Sequence, residues 1–199
     1  RDLVRSRGLG DVYKRQQLVV SFWGSMGAKY MNEHMAGELA LECKNGVPYH
    51  HVHATGAAAR EWLPRMAKEQ GADFDAHPNI EVTEYIYDMA TVMRDADLVI
   101  CRAGASTLSE LTALGVPAIL VPSPNVTNHH QEKNAALLGD HGAALVLPEE
   151  GLDGKKLFAA AAGILNDPQR METMSQNMAA LGIPDATKRI YDTVMTLLK

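Results

Sequence analysis

Glycine, hydroxyl and carboxylate residues follow an apolar run near the middle of this 199-residue chain. Residues 98–110, LVICRAGASTLSE, predict a buried strand, a turn at Gly104 and a helix that opens with hydroxyl residues. A glycine turn that leads into a helix presents bare backbone N–H groups and a favourable dipole to a phosphate. We therefore predict that the N–H groups of Ala105, Ser106 and Thr107 hold an anion.

Glu110 lies one turn into the same predicted helix. A carboxylate accepts two hydrogen bonds at once, so Glu110 could hold both hydroxyl groups of a ribose. A purely structural interpretation fits the same residues: Thr107 would cap the helix, and Glu110 would bond back to the backbone of Thr107 in a capping box. The sequence leaves both interpretations open.

A second turn between a predicted strand and a predicted helix, WGSMG at residues 23–27, contains Ser25. By itself this segment is typical of a plain tight turn. Together with the turn at Gly104, however, it suggests two helix dipoles that converge on one ligand, as a diphosphate requires.

His130, Gln131 and Asn134 form a polar group near one face of another predicted helix. Side-chain amides both donate and accept hydrogen bonds, which suits the hydroxyl groups of a sugar. Metal binding is disfavoured at this helix because adjacent histidines diverge on a helix. His51 and His53 share one face of a predicted strand, but a pair without further ligands is typically structural.

Two Asp-x-Asp triplets, at residues 73–75 and 95–97, could suggest a metal-dependent sugar transferase. Both precede predicted strands, which places them at the sheet edge opposite the carboxyl ends of the strands, where ligands bind. We expect them to form turns, and we predict neither a metal site nor a cofactor.

Composition narrows the classes of function. The net charge of −5 argues against binding to nucleic acid, which favours a clustered basic face. The two cysteines, Cys43 and Cys101, make no disulfide framework, so a reducing cytosol is expected. The sequence has no apolar run that approaches the roughly 20 residues of a membrane-spanning helix. It also lacks the phosphate-loop, nucleophile-elbow and dinucleotide-binding motifs.

Apolar and amphipathic segments alternate regularly from residue 17 onward. Strands are predicted at residues 18–22, 49–55, 80–86, 98–101, 117–121 and 143–147. Helices are predicted at residues 29–43, 57–70, 89–94, 107–114 and 131–138, then from 152 onward, ending with 185–198. This alternation predicts an α/β fold with a doubly wound parallel sheet in one domain, residues 17–199. Residues 1–16 show the apolar periodicity of neither a strand nor a helix and are expected to be a non-native or disordered tail.

Three segments are similar to the MurG family of bacterial N-acetylglucosaminyl transferases, which make lipid II for peptidoglycan. They are residues 101–110 (CRAGASTLSE), 128–134 (NHHQEKN) and 183–187 (IPDAT). The resemblance runs from about residue 18 to the C-terminus. It implies the Rossmann-like C-terminal lobe of a GT-B glycosyltransferase, the half that binds the donor UDP-GlcNAc.

The resemblance also implies a role for each site residue. Glu110 would hold the ribose hydroxyls of UDP-GlcNAc, and the backbone of Ile86, beside Tyr85, would contact the uracil edge. Ser25 and residues 105–107 would hold the diphosphate. Three polar side chains would contact the N-acetylglucosamine: His130, Gln131 and Asn134.

Two positions depart from the family pattern. The glycine-glycine-serine turn of the family is WGS here, at residues 23–25, so Trp23 must fit without crowding the phosphate. Where some members have two glutamines, this chain has His130 and Gln131. Both departures lie in the predicted ligand site.

The reaction implied is an inverting, metal-independent transfer of GlcNAc to the 4-hydroxyl of undecaprenyl-pyrophosphoryl-MurNAc-pentapeptide, which converts lipid I to lipid II. In the family, the catalytic base and the acceptor site belong to an N-terminal lobe, so we expect no catalytic residue in this chain. We expect the chain alone to bind UDP-GlcNAc weakly and to transfer nothing. The resemblance further implies a cytoplasmic protein, held on the inner face of the bacterial plasma membrane through that N-terminal lobe.

Three other functions stay open. The chain could be the donor-binding subunit of a two-chain GlcNAc transferase. It could also be a UDP-GlcNAc 2-epimerase, which shares the GT-B architecture but needs acid and base groups beyond those assigned. A nucleotide sensor without enzymatic activity would bind UDP and transfer no sugar.

Overall fold

The computed structural model describes residues 16–198. A single six-stranded sheet runs through this part of the chain, in the order β3-β2-β1-β4-β5-β6. Its strands are β1 (Leu18–Phe22), β2 (His50–Ala54), β3 (Ile80–Thr83), β4 (Leu98–Cys101), β5 (Ala118–Leu120) and β6 (Ala144–Val146). Every neighbouring pair is parallel, which confirms the predicted α/β fold with a doubly wound parallel sheet. The predicted tail, residues 1–16, falls outside the described residues except for Gln16, and its character stays a prediction.

Helices cover both faces of the sheet. They are α1 (Lys29–Asn45), α2 (Trp62–Glu69), α3 (Met89–Asp95), α4 (Ala105–Leu114), α5 (His130–Asp140), α6 (Gly154–Leu165), α7 (Pro168–Ala180) and α8 (Ala186–Leu197). A short 3-10 turn, Thr127–His129, leads into α5. Among residues 16–198, none of the helices combines the length and apolar character that crossing a lipid bilayer requires.

Two apolar cores lie on opposite faces of the sheet. One contains Met35 of α1 with side chains of α2 and α6, and the other contains Met93 of α3 with side chains of α4 and α5. Successive strand residues point to opposite faces, so Val19 joins the first core and Val20 the second. Because both faces are covered, the strands are nearly continuous apolar runs, as the sequence indicated.

The strand order places two loops side by side at the carboxyl edge of the sheet. From β1 the chain proceeds outward to β2 and β3, then returns to the other side of β1 to form β4, β5 and β6. The loops that follow β1 and β4 therefore diverge from adjacent strands. In open α/β sheets this reversal opens the crevice in which ligands bind.

Several predicted bounds differ from those observed. Strand β3 ends at Thr83 rather than at residue 86, so Ile86 lies in a loop. Helix α2 begins at Trp62, five residues later than predicted, and α4 begins at Ala105, two residues earlier. The helix predicted from residue 152 onward is interrupted because Pro168 begins a new helix, α7.

The two acidic triplets lie where the sequence predicted. The Asp97 carboxylate accepts a hydrogen bond of 2.8 Å from the N–H of Leu18, the first residue of β1, so it lies at the amino edge of the sheet. Asp73 accepts from the N–H of Ala76 at 3.2 Å within a turn before β3. Both triplets are thus at the edge opposite the crevice, as predicted.

Candidate functional site

The turn after β1 is seated directly on the loop after β2. Gly27 has a φ of 71° and donates its N–H to the carbonyl of Gly24 at 3.0 Å. A Cβ at Gly27 would collide with the carbonyl oxygen of Thr55, and a Cβ at Gly56 would lie 2.5 Å from the nitrogen of Gly27. Only glycine permits this contact between two backbones. Ser25 is exposed at the outer side of the turn.

Trp23 fits this turn by pointing into the protein. Its side chain is 4% exposed and belongs to the core cluster on the α1 face, together with Val19. The departure from the glycine pattern therefore leaves the crevice side of the turn uncrowded. The indole nitrogen has no hydrogen-bond partner in the part of the chain that the structure describes.

Helix α4 presents a bare N-terminus to the same crevice. Gly104 is its N-cap residue and offers no side chain, and the carbonyl of Gly104 accepts the N–H of Leu108 at 3.0 Å. The first helical residues are thus Ala105, Ser106 and Thr107, whose N–H groups have no carbonyl partner within the helix. The capping-box interpretation is wrong because Thr107 is the third residue of the helix rather than its cap.

Glu110 is exposed on α4. Within residues 16–198 its carboxylate takes part in no recorded hydrogen bond or ion pair, so both oxygens are available to a ligand. Because α4 begins at Ala105, Glu110 is its sixth residue, about half a turn further into the helix than the sequence predicted.

The backbone before α5 is strained. Asn128 and His129 have φ values of 55° and 51°, a left-handed conformation that costs energy for residues other than glycine. Such conformations cluster at ligand sites. The Nδ1–H of His130, the first residue of α5, donates to the carbonyl of Thr127 at 2.9 Å, which leaves its Nε2 exposed.

The amide side chains of α5 bind the neighbouring loops. Gln131 accepts a hydrogen bond of 2.9 Å from the N–H of Ser123, after β5, through its Oε1. Asn134 donates from Nδ2 to the carbonyl of Ala103, after β4, at 3.2 Å. Each side chain thus retains its other end, the Nε2 of Gln131 and the Oδ1 of Asn134, for a ligand. The structure brings α5 and the loop before α4 into direct contact.

Ile86 lies in the loop after β3, two strands away from β1. Its side chain is 7% exposed and joins the core cluster that also contains Leu108 of α4. No hydrogen bond to the N–H of Ile86 is recorded between residues 16 and 198. Tyr85 and Tyr87 flank it with exposed rings, 5.3 Å apart in an edge-to-face arrangement.

Helix N-termini supply the positive potential of the crevice. The N-caps of α1, α4 and α5 make no side-chain hydrogen bond to their helices, and α1 and α4 have no acidic residue in their first turn. In contrast, α6 and α7 are capped by the carboxylates of Asp153 and Asp167. The helices around the crevice therefore keep their N–H groups and dipoles for an anion.

Two features of the site were not predicted from the sequence. Arg102, directly after β4, donates to the carbonyl of Val121 at 3.1 Å and forms an ion pair with Glu149, so it joins the loops after β4, β5 and β6. Nothing in its spacing distinguished it. Burial raises the pKa of the Cys101 thiol to about 12, so this neighbour of the crevice stays protonated and is no nucleophile.

Known proteins resemble the chain over nearly its whole length. Residues 18–190 match the glycosyltransferase family 28 C-terminal domain. The UDP-N-acetylglucosamine–N-acetylmuramyl-(pentapeptide) pyrophosphoryl-undecaprenol N-acetylglucosamine transferase of Acetivibrio thermocellus is 42% identical over 186 residues, covering 94% of this chain and 49% of that protein. The protein of the same name from Listeria monocytogenes is 39% identical over 181 residues, covering 91% and 48%. The chain spans about half the length of the curated relatives it matches.

Solved structures agree with this similarity. Acinetobacter baumannii MurG has a TM-score of 0.78 and 30% identity, covering 92% of this chain and 51% of that one. A putative UDP-N-acetylglucosamine 2-epimerase from Listeria monocytogenes has a TM-score of 0.68 at 14% identity, over 92% and 45% of the two chains, and shares the fold alone. The predicted Rossmann-like lobe of a GT-B glycosyltransferase is confirmed. The chain belongs to glycosyltransferase family 28, whose C-terminal domain it contains.

Proposed function

We propose that this chain is the donor-binding half of an N-acetylglucosaminyl transferase and that it binds UDP-GlcNAc across the crevice between β1 and β4. The observation that carries this proposal is the pairing of two helices without side-chain caps, α1 and α4, with the exposed carboxylate of Glu110, which has no partner among residues 16–198. The relatives at about 40% identity are named as transferases of N-acetylglucosamine from its UDP derivative, which supports the same ligand.

In this proposal, the nucleotide lies at the turn after β1 and at the N-terminus of α4. Ser25, within the glycine turn, and the N–H groups of residues 105–107, at the start of an uncapped helix, hold the diphosphate. Glu110 accepts both ribose hydroxyls, and the free N–H of Ile86 donates to the edge of the uracil. Ile86 and Leu108 of α4 belong to the same core cluster, on one face of the sheet.

The proposed sugar lies toward α5. There the Nε2 of Gln131 donates, the Oδ1 of Asn134 accepts, and the exposed Nε2 of His130 completes the set. Hydrogen bonds to Ser123 and Ala103 already fix the two amides, so they meet the N-acetylglucosamine with little loss of side-chain entropy.

The proposed reaction is an inverting displacement at the anomeric carbon, with UDP as the leaving group. Negative charge increases on the diphosphate as the bond breaks, and N–H groups already aimed at it stabilise that charge. Helix dipoles act in the same direction. An N-terminal lobe would provide the catalytic base and the binding site for the acceptor, lipid I. The same lobe would hold the enzyme on the cytoplasmic face of the plasma membrane.

A titration of the chain with UDP, UDP-GlcNAc and NAD tests the ligand class. UDP and UDP-GlcNAc are expected to raise the melting temperature by mass action, and NAD is expected to leave it unchanged. A rise with NAD, or none with either uridine nucleotide, contradicts the proposal.

Glu110→Ala tests the site itself. Removing a carboxylate that holds two ribose hydroxyls should weaken UDP binding by about 1–3 kcal/mol. Calorimetric titration of UDP measures the change, and Glu172→Ala, which removes an exposed carboxylate from α7, is the matched control. Equal UDP affinity before and after Glu110→Ala excludes this role.

A further inference from the structure

A group of buried polar residues lies between α1 and the first two strands, beneath the crevice. Its members are all fully buried polar or charged side chains: Ser21, Asn32, Glu38, Glu42, His51, His53 and Thr55. We call this group the buried polar chain. Such side chains are costly to bury unless each is hydrogen-bonded, so the donor and the acceptor of each hydrogen bond matter for stability.

At the end of the buried polar chain nearest the crevice, a hydrogen bond to Thr55 fixes the orientation of Asn32. Its Nδ2 donates to the carbonyl of Thr55 at 2.8 Å, and a carbonyl can only accept. The amide oxygen of Asn32 therefore faces the Nε2 of His53, 3.1 Å away. Since an oxygen accepts there, the Nε2 of His53 carries a proton.

Ser21 joins the two histidines and gives them opposite roles. Its Oγ lies 2.7 Å from the Nδ1 of His53 and 2.8 Å from the Nε2 of His51, but a hydroxyl has one proton to donate. Burial and the neighbouring His51 lower the pKa of His53 to about 3, so its Nδ1 is bare and accepts from Ser21. His51 must then donate from Nε2 to Ser21.

The far end is a buried ion pair. Both carboxylate oxygens of Glu42 lie 2.9 Å from the Nδ1 of His51, and the Tyr49 hydroxyl donates to Glu42 at 2.6 Å. Burial opposes ionisation of Glu42, but the charge and hydrogen bond of His51 lower its pKa below the ordinary value. Burial and the nearby Glu42 raise the pKa of Glu38 well above its ordinary value. The Nδ1 of His51 thus faces the carboxylate of Glu42.

The chain of hydrogen bonds ends directly beneath the glycine turn. The Thr55 carbonyl oxygen, which accepts from Asn32, is the atom that a Cβ at Gly27 would strike. The Asn32 amide nitrogen would lie 3.4 Å from that Cβ. A shift of Thr55 would therefore displace the turn that contains Ser25.

We propose that His53 is a positioning residue, which orients Asn32 and Thr55 and through them sets the glycine turn at residues 24–27 for the diphosphate of the donor. This inference rests on the proposed function, since UDP is its ligand. It adds a residue that touches neither nucleotide nor sugar, and it assigns the direction of every bond from Glu42 to Thr55.

Two substitutions of His53 separate positioning from stability. His53→Gln can place an N–H where Nε2 donates to Asn32, whereas His53→Asn can reach only Ser21. Each variant loses one of the two buried hydrogen bonds of His53, so the free energy of unfolding should fall in both. We expect His53→Asn to weaken UDP binding at least about tenfold and His53→Gln to restore it to within about threefold of the unchanged chain. Met174→Ala, a core substitution in α7, controls for lost stability.

Calorimetric titration of the whole chain with UDP distinguishes the outcomes. Absence of UDP binding by the unchanged chain overturns the proposed function and this inference together. UDP binding by the unchanged chain with equal loss in both His53 variants, or with no loss in His53→Asn, overturns the inference alone. A loss in His53→Asn with recovery in His53→Gln supports it.

Nitrogen-15 NMR of the histidine rings tests the bond directions without any variant. We expect His53 to be neutral and protonated at Nε2 between pH 5 and 8, and the Nε2 of His51 to carry the proton that faces Ser21. Elemental analysis accompanies the spectra because ligand atoms of Glu38, Glu42 and His51 lie within 4.8 Å of one another. A stoichiometric bound metal, or a proton on the Nδ1 of His53, overturns the assignment.

Discussion

The carboxyl group of Glu38 is completely buried, and neither oxygen has a hydrogen-bond partner between residues 16 and 198. Burial and the carboxylate of Glu42 raise its pKa well above the ordinary value for glutamate. The folded protein therefore keeps a proton on Glu38 at a pH at which the unfolded chain has released it. Its contribution to stability is largest below the unfolded pKa of about 4.3 and falls as pH rises toward the folded pKa.

Glu38→Gln should remove this pH dependence because glutamine has no proton to release. Between pH 5 and pH 8, the free energy of unfolding of the variant should rise relative to the unchanged chain by at least about 1 kcal/mol. Urea denaturation at the two pH values measures the difference. Glu33→Gln, on the same helix, is the control, and parallel pH profiles for the Glu38 variant and the unchanged chain contradict the prediction.

The positions of the candidate site residues on turns and helix starts follow from local spacing, whereas the burial of Glu38 and Glu42 does not. Met31, Met35 and Leu39 recur every four residues, which indicates one buried helix face, and nearby glutamates on such helices ordinarily face water. Helix α6 covers them instead: a Cβ on Gly154 would lie 2.5 Å from the backbone nitrogen of Glu38. That contact joins segments more than 100 residues apart in the sequence, so no local pattern contains it.

The bare N-terminus of α4 favours binding of an anion but leaves the helix less stable than a capped helix would be. Space exists for a side chain at Gly104, because a Cβ there meets nothing within 4 Å and its φ of −72° suits any residue. Gly104→Asp should stabilise the helix by a few tenths of a kcal/mol through capping and the dipole. The same carboxylate would occupy the N–H groups and repel a phosphate, so UDP affinity should fall at least about tenfold.

Thermal unfolding and UDP titration of the same samples measure both effects. Gly104→Asn can cap the helix without a charge and should weaken UDP binding less than Gly104→Asp. If Gly104→Asp binds UDP as tightly as the unchanged chain, the N-terminus of α4 is not the anion site.

The start of α4 also shows how far local pattern predicts an element. Thr107 and Glu110 have the spacing of a capping box, yet the helix begins at Ala105 because the carbonyl of Gly104 accepts the N–H of Leu108. Glycine tolerates the cap position almost as well as threonine, so the hydroxyl pattern did not decide the boundary. The sequence predicted a helix here correctly, but it did not predict the first residue of that helix.

Among the α-helices of residues 16–198, α8 differs from α1 to α7 because none of its residues is buried. Ile190, Tyr191, Val194 and Leu197 form an exposed apolar stripe along it. The double substitution Ile190→Ser with Leu197→Ser should therefore change the free energy of unfolding by no more than about 0.5 kcal/mol. Chemical denaturation measures this change.

Met178→Ala is the contrasting variant because Met178 is fully buried in the core beneath α4 and α7. It should cost about 2–5 kcal/mol. If the α8 double variant loses a comparable amount, α8 unfolds cooperatively with the sheet and its stripe is covered in solution.

The sheet itself was only partly predictable. Alternating apolar and amphipathic segments indicate parallel strands and helices on both faces, and these were found. The order of the strands depends on pairings such as Val19 with Leu98, which are far apart in sequence. Since the crevice exists where that order reverses, the sequence indicated which loops could bind a ligand but not that those after β1 and β4 are adjacent.

The contact between Gly27 and Gly56 limits how this protein can be redesigned or diversified. An added side chain at either position strikes main-chain atoms, so no second mutation of a neighbouring side chain can act as a suppressor. Gly104 has no such obstacle. In a saturation library scored for folding, positions 27 and 56 should tolerate almost no substitution, while position 104 should accept many.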